Sequence, residues 1–508
     1  MITARVTDKH KRVVPLPKIA SFDGEFVQLN SHWSIKPMSV DNEESQQLQR
    51  LLSIWQSKLG LYQNKLLLET EKDGGSIQWF TDLSLGKEAY RIDIKEGKIS
   101  LAAGSIKAIN YGMQTLWQMS PDGLIPTGII EDQPSLNMRG FHINFDSFRQ
   151  MDIQEALYSI EKASEMKLNT ILLEYSNRFP FSNYKGMAVN TTLKSEDVQL
   201  ICKKAKELDM EIIPLQQTIG HLEYMVQLDA YQNIRENGNS PAQICPMNPE
   251  SLCVIKDLLD EIIQAHPGIR YLHLGGDEAR SMGQCPSCRE KVEKLGISEL
   301  YVDYMNAVSE YILSKGITPI IWDDMLCAHP EALDKLDKRI VIMYWDYWTV
   351  SKNSPYFIAR YDRQGKPVQV ADTGWTDQWK GELTDLEISV MKTFIRQVDL
   401  KENLSKSFMD LYGKYLGDEF PKRIKAYPYI EFYQDKGFKV IGAPTCLGNG
   451  DDYHTLPNYW RFIPNIKTAA ERCMEAGTIG MIATSWYNYH PMMFHLGIGA
   501  TAQYTWGV

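Results

Sequence analysis

A chain of 508 residues, 44% hydrophobic and 23% charged, has ordinary globular composition and can bury a large core without disulfide or metal staples. Its net charge of −10, with no long Lys/Arg run, argues against a nucleic-acid partner, and no apolar stretch nears the ~18 residues of a membrane span. The opening MITARVTDKHKRVVPLPKIA lacks an apolar signal core, and eight scattered cysteines form no disulfide framework, so a cytoplasmic location is expected.

Taken in chain order, residues 90–94 (YRIDI) and 98–102 (KISLA) alternate polar and apolar around Glu96-Gly97, a hairpin pattern. Ile109, Met113, Leu116 and Trp117 then recur at helical spacing over 108–119. Residues 1–133 therefore read as a small N-terminal α+β domain, closed by the chain-breaking Asp132-Gln133-Pro134-Ser135. Beyond it, short apolar strands are predicted at 140–145, 169–175, 211–216, 271–274, 318–322, 340–345, 439–443 and 480–485. Helical patterns at 153–166, 196–208, 251–265 and 300–315 fall between them. Strand and helix alternating in this way predict an α/β fold, a (β/α)8 TIM barrel over 134–508. Residues 346–437 are too long for a single βα unit and read as an insertion, of the kind that forms lids or substrate walls. Cys202, Cys253 and Cys473 lie in helical patterns and read as small buried hydrophobes.

The run Tyr271-Leu272-His273-Leu274-Gly275-Gly276-Asp277-Glu278 carries the chemistry. Catalytic groups of such barrels sit at the C-terminal ends of strands. Neighbouring strand residues point to opposite faces, so two adjacent acids converge only where the strand has ended. Two glycines permit that break and let a ligand approach the backbone. Like charges so close raise one pKa and keep one carboxyl protonated, as an acid catalyst requires.

The HLGGDE run resembles the catalytic signature of glycoside hydrolase family 20, the β-N-acetylhexosaminidases. Further stretches resemble that family in the same order: YGMQTLWQM at the end of a small N-terminal domain, Asp132-x-Pro134 followed by Arg139-Gly140, Lys167-x-Asn169, Pro214 followed by Gly220-His221, and Thr484-Ser485-Trp486. The resemblance implies exo-acting, retaining removal of a terminal N-acetyl-β-hexosamine from a glycan, with no cofactor and no metal. The substrate's own acetamide would replace an enzyme nucleophile, through an oxazolinium. Glu278 would be the general acid and then base, and Asp277 would hold the acetamide N–H. Arg139 would bind sugar hydroxyls, His221 would support the acid, and Trp322, Trp345 and Trp486 would wall the sugar.

Departures from the family pattern touch hydroxyl recognition. Asn177 stands near where an acid usually partners the histidine, with Glu174 three residues earlier, and Leu215 and Gln217 replace two further acids. Cys446 and Gly448 align with a Tyr-x-Asp, which leaves Asn449 and Asp452 as substrate-binding candidates. Trp486-Tyr487-Asn488 replaces a Trp-x-Glu. Asp323-Asp324 could bind a hydroxyl or be solvated loop acids. Two alternatives stay open: an ordinary two-carboxylate glycosidase with Asp324 or Asp452 as nucleophile, and a non-catalytic sugar-binding barrel. Cys285-x-x-Cys288 could be half a zinc site with Cys245 nearby, or a redox pair, but no adjacent His completes a zinc set, so packing thiols are expected. A homodimer is left open.

Overall fold

The computed structural model describes residues 8–29, 33–39, 45–59, 75–145, 151–238, 242–359, 368–373, 384–385, 388–389, 392, 395–447, 458–486 and 491–507. The chain divides into two compact units, Met1–Asn137 with Ala163–Lys167 and Ala502–Val508, and Met138–Lys162 with Leu168–Thr501. The division thus falls at 137/138, and two short later segments return to the first unit.

The first unit is a six-stranded sheet in the spatial order Ile19–Gln28, Leu124–Asp132, Tyr90–Lys95, Lys98–Ala103, Ser76–Thr81, Ser34–Ser39. The predicted hairpin pairs Ile94 with Ile99, and Gly97 supplies the left-handed turn residue at φ 65°. Ser105 caps helix Ile106–Met119 by accepting the Ala108 N–H. That helix buries Ile109, Met113 and Leu116 with Trp79, Ile92 and Leu101. Trp117 stays partly exposed and packs at the rim of this core.

The second unit is a closed parallel barrel. Its strands run Met138–Asn144, Thr170–Glu174, Glu211–Leu215, Tyr271–His273, Thr318–Trp322, Val341–Trp345, Lys439–Ala443 and Gly480–Ser485, and pairing of Ile441 with Gly480 closes the ring. Register fixes what points inward. His142 lies level with Leu172, Leu172 with Ile213, His273 with Leu215, and Ile320 with His273. These positions belong to one face, whose apolar members from seven of the strands form a single interior cluster. Both faces of each strand are covered, which is why they read as apolar runs rather than as alternation.

The described part of 346–437 holds a three-stranded sheet, Tyr356–Ala359, Val368–Asp372 and Arg396–Val398, and a ribbon of Asn353–Ser354 with Ile424–Lys425. Helix Tyr429–Asp435 returns the chain to the barrel, where Tyr427 and Tyr433 donate to the Asp346 carbonyl and to Asp323 Oδ2. This stretch buttresses the fifth and sixth strands. Cys473 is buried and Cys202 half-buried, but Cys253 is exposed, a correction. Helix Pro249–Ala265 buries Ser251, Val254, Ile255 and Leu258, which turns position 253 outward. Among the described residues no helix is long and apolar enough to cross a membrane.

Candidate active site

The fourth strand stops at His273, and residues 274–278 leave it as a loop bonded on every side. Thr218 Oγ1 donates to the Leu274 carbonyl at 2.7 Å, the Trp322 N–H to Gly275 at 3.0 Å, and the Tyr301 hydroxyl to Gly276 at 2.9 Å. Gly275 and Gly276 are left-handed, at φ 66° and 93°. A Cβ on Gly275 would also displace the Gln217 side-chain amide, but it is the left-handed turn that demands glycine there. Glu278 itself takes φ 48°, an arrangement that costs about 1–3 kcal/mol in a non-glycine residue. Its N–H donates to Asp324 Oδ2 at 3.0 Å, which holds the strained turn.

His221, also left-handed at φ 53°, reaches the same place from the third strand's loop. Gly220 makes this approach possible, because a Cβ there would sit 2.7 Å from the Asp277 carbonyl oxygen. His221 Nε2 lies 3.4 Å from Asp277 Oδ2 and 3.5 Å from Glu278 Oε2. Burial alone would lower the His221 pKa, but the Asp277 carboxylate, and then Glu278, outweigh it and hold the imidazole well above its ordinary value. Arg280 Nη2 also sits on Glu278 Oε1 at 2.5 Å. The two acids thus meet across cations rather than as bare like charges, which corrects the simple repulsion argument. Asp277 keeps only 11% of its side chain exposed, and its Oδ1 is buried with no hydrogen-bond partner among the described residues.

An aromatic cluster lies at the C-terminal ends of the neighbouring strands. The Trp322 ring lies 4.3 Å from His273 and 5.8 Å from Trp486, and Trp486 lies 6.3 Å from Tyr347. Tyr347 stacks on Trp345 at 5.0 Å, with Trp348 beside both. The indole nitrogens of Trp322 and Trp486 are buried without a partner among the described residues. The three predicted tryptophans are therefore brought together. Tyr347 and Trp348 were missed because they lie just past the sixth strand, inside the stretch read as an insertion; their W-D-Y-W spacing was the available signal.

Behind this cluster, the barrel interior also holds buried polar side chains. His142 Nε2 lies 3.4 Å from Glu174 Oε2, Asn144 Nδ2 donates to Glu174 at 3.1 Å, and the Ser485 N–H donates to His142 Nδ1 at 3.3 Å. His273 accepts the Gly275 N–H on Nδ1, and burial, then His142, push its pKa well below the ordinary value, so it is neutral. Glu174 thus partners His142 rather than His221. No sequence motif marked His142, and His273, the first residue of the HLGGDE run, was given no role of its own.

Several expected assignments change. Arg139 is fully buried near the start of the first strand, ~17 Å of strand from Asn144. Three residues before inward-facing His142, it turns outward, so it is not brought to the acids. Asp323 and Asp324 are neither solvated nor open to sugar. Asp323 accepts from the Trp345 N–H and Tyr433, and Asp324 from the Glu278 N–H, so both brace the loops. Cys446 is buried, donates to the Thr484 carbonyl and packs against Gly497, away from the site. Asn449, Asp452, Gly448, Tyr487 and Asn488 lie outside the described residues.

Comparison with known proteins adds to this geometry. Residues 138–370 match the model of the glycosyl hydrolase family 20 catalytic domain, and residues 10–133 match domain 2 of the same family. Hexosaminidase D of Homo sapiens is 29% identical over 187 residues, covering 35% of this chain and 38% of that protein. A beta-hexosaminidase of Porphyromonas gingivalis is 23% identical over 365 residues, covering 63% of this chain and 46% of its own length. The chain therefore spans about half or less of these curated relatives. The crystal structure of a beta-N-acetylhexosaminidase from Bacteroides fragilis superposes with a TM-score of 0.64 at 16% identity, over 97% of this chain and 90% of that one. Streptomyces plicatus N-acetyl-beta-hexosaminidase, in complex with Thio-NAglucal, gives 0.64 at 16% over 98% and 90%. At such identities these structures show the shared fold.

Proposed function

The chain belongs to glycosyl hydrolase family 20, and on that premise we propose that it removes terminal β-linked N-acetylhexosamine by substrate-assisted retaining hydrolysis. One observation carries this reading: Asp277 spends Oδ2 on His221 and leaves Oδ1 buried and unused, next to Glu278. A buried carboxylate oxygen needs a donor, and an acetamide N–H supplies one. Holding that N–H aligns the acetamide carbonyl for attack on the anomeric carbon. The carboxylate of Asp277 then faces the oxazolinium, and His221 keeps it oriented. Intramolecular attack of this kind can contribute about 7–11 kcal/mol.

Glu278 is the proton donor to the leaving oxygen and then the base for water. Arg280 and His221 hold its carboxylate in the free enzyme; when the incoming leaving group displaces them, Glu278 takes up a proton from solvent and donates it to the leaving oxygen. Trp322, Trp345, Trp486 and Tyr347 offer apolar faces to the sugar ring and its acetamide methyl. An ordinary two-carboxylate mechanism through Asp324 is disfavoured, because that residue is fully buried and occupied by the Glu278 N–H. A merely sugar-binding barrel leaves the strained Glu278 and its brace without a purpose. The cytoplasmic location belongs to the same reading. The deciding experiment compares aryl N-acetyl-β-glucosaminide with plain aryl β-glucoside, with and without a thiazoline mimic of the oxazoline. Turnover of the first alone, blocked by the thiazoline, is expected; efficient glucoside hydrolysis overturns the mechanism.

A further inference from the structure

Beyond Glu278 the chain enters helix Pro286–Leu295, capped by Cys285, whose Sγ accepts the Cys288 N–H at 3.3 Å. Facing it is the loop after the third strand. There Arg235 bridges Ile244, the Glu236 N–H donates to Gln243 and the Cys245 N–H donates to Ile234. That pairing sets Glu236 and Cys245 side by side. Cys245 Sγ lies 3.5 Å from Cys285 Sγ and 3.5 Å from Cys288 Sγ, and Cys288 Sγ lies 3.3 Å from Glu236 Oε2. All four donor atoms fall within 4.8 Å of one another.

Those separations discriminate between chemistries. A disulfide needs sulfurs about 2.05 Å apart. Zinc–sulfur and zinc–oxygen bonds of about 2.3 and 2.0 Å give tetrahedron edges of about 3.8 Å between sulfurs and about 3.5 Å from sulfur to oxygen. Three of the six edges, at 3.5, 3.5 and 3.3 Å, lie within a few tenths of the zinc values, and all six are under 4.8 Å. Glu236 is fully buried, and among the described residues no Lys, Arg or His lies in ion-pair range of it. Its Oε1 accepts the Gln284 and Cys285 N–H groups at 2.7 and 3.1 Å, which leaves Oε2 aimed at the thiols. Buried charges are paired or coordinate metals.

We propose that Glu236, Cys245, Cys285 and Cys288 bind a single tetrahedral zinc ion that clips the third strand's loop to the segment following the two acids. Four protein ligands close the coordination sphere, as in structural zinc sites, and thiolates select zinc over magnesium or calcium. The clip adjoins the acids: the Ser281 N–H donates to Gln243 Oε1 at 2.9 Å, so both loops are already tied between Glu278 and the cluster. The expectation of packing thiols came from the missing histidine; the fourth donor is instead a glutamate that no cysteine spacing announces.

The test uses the full chain, purified without a histidine tag or added metal. Elemental analysis is expected to find zinc in a stoichiometric amount. Stripping it should lower the melting temperature by several degrees, and cobalt(II) should restore that and give the charge-transfer and d–d bands of tetrahedral thiolate coordination. Glu236→Gln should weaken zinc retention by more than the ~10–100-fold that loss of an outer-shell partner costs, and should melt earlier. Absence of stoichiometric metal together with no cobalt–thiolate band in the reduced chain overturns the site. An intact mass showing Cys245 in a disulfide with Cys285 or Cys288 overturns it as well. A Glu236→Gln chain that keeps its zinc, or melts later because a buried charge has gone, removes Glu236 as a ligand and overturns the four-donor assignment. The wild-type cobalt spectrum tests the site even if Glu236→Gln fails to fold.

Discussion

In the first unit, Lys167 and Asp132 bury their side chains completely, and the polar atoms around them are all used. Lys167 Nζ donates to Tyr90 and Thr115 at 2.8 Å, lies 3.4 Å from Asp132 Oδ2 and sits 4.5 Å from the centre of the Trp506 ring. Asp132 accepts Tyr90 on Oδ2, and Trp506 Nε1 and the Lys18 N–H on Oδ1. In the barrel, Asp277 is nearly as buried and is also paired, yet among the described residues one of its oxygens has no partner, and neither do the indole N–H groups of Trp322 and Trp486. The residue types are similar and the outcomes opposite. A satisfied buried pair holds structure together; a buried pair with donors and acceptors left over is prepared for a ligand that completes it.

Substitutions can break that contrast. The largest expected effect is on Glu278→Gln, which should slow cleavage of sugar leaving groups by ~10²–10⁴-fold while the melting temperature holds; activated aryl leaving groups should suffer less. An unchanged rate with a sugar leaving group would remove Glu278 as the acid. Asp132→Asn should do the reverse, costing about 3–5 kcal/mol in a denaturant titration by stranding Lys167, with kcat per folded molecule preserved. A large loss of kcat there would erase the distinction between the two clusters. Asp277→Asn should lower kcat by ~10²–10³-fold for good and poor leaving groups alike, since the lost charge acts on the oxazolinium. Full activity in that variant would sink the substrate-assisted reading.

Smaller effects sharpen the comparison. Gly220→Ala places a methyl carbon against the Asp277 carbonyl, and should cost about 1–3 kcal/mol of stability and reduce kcat as His221 and Asp277 are pushed apart. Thermal melts should show neither change if the backbones do not touch. The gentlest probe is pH. Because folding raises the His221 pKa, its stabilising contribution is full below the ordinary value near ~6.5 and is lost as pH rises through the raised one. The melting-temperature gap between wild type and His221→Gln should therefore shrink toward alkaline pH; a gap that widens would mean the histidine is neutral in the fold.

Much of this was legible in the amino-acid order. The strand ranges 318–322, 439–443 and 480–485 come out as predicted, and the remaining barrel strands differ by one or two residues at their ends. Hydrophobic runs of that length, bounded by polar turns, leave the backbone few other ways to bury them. Asp277, Glu278 and His221 were legible for a related reason. Glycines beside acids mark a place where the chain must turn sharply next to charge: Gly275 and Gly276 take left-handed φ, and Gly220 lies against the Asp277 carbonyl where a Cβ would clash.

Tertiary structure alone decided what those marks could not. Strand alternation sent Arg139 outward and His142 inward, although both are polar residues on one short strand, because register against its two neighbours in the closed ring fixes which face is the interior. Asp323 and Asp324 became braces, and Tyr347 joined the aromatic cluster, through contacts between residues far apart in sequence. Periodicity and turn chemistry are local and can be read along the chain. Convergence of donors such as Glu236 and Cys245 on Cys285 and Cys288 depends on how separate loops meet above the barrel, and that is settled only when the ring closes.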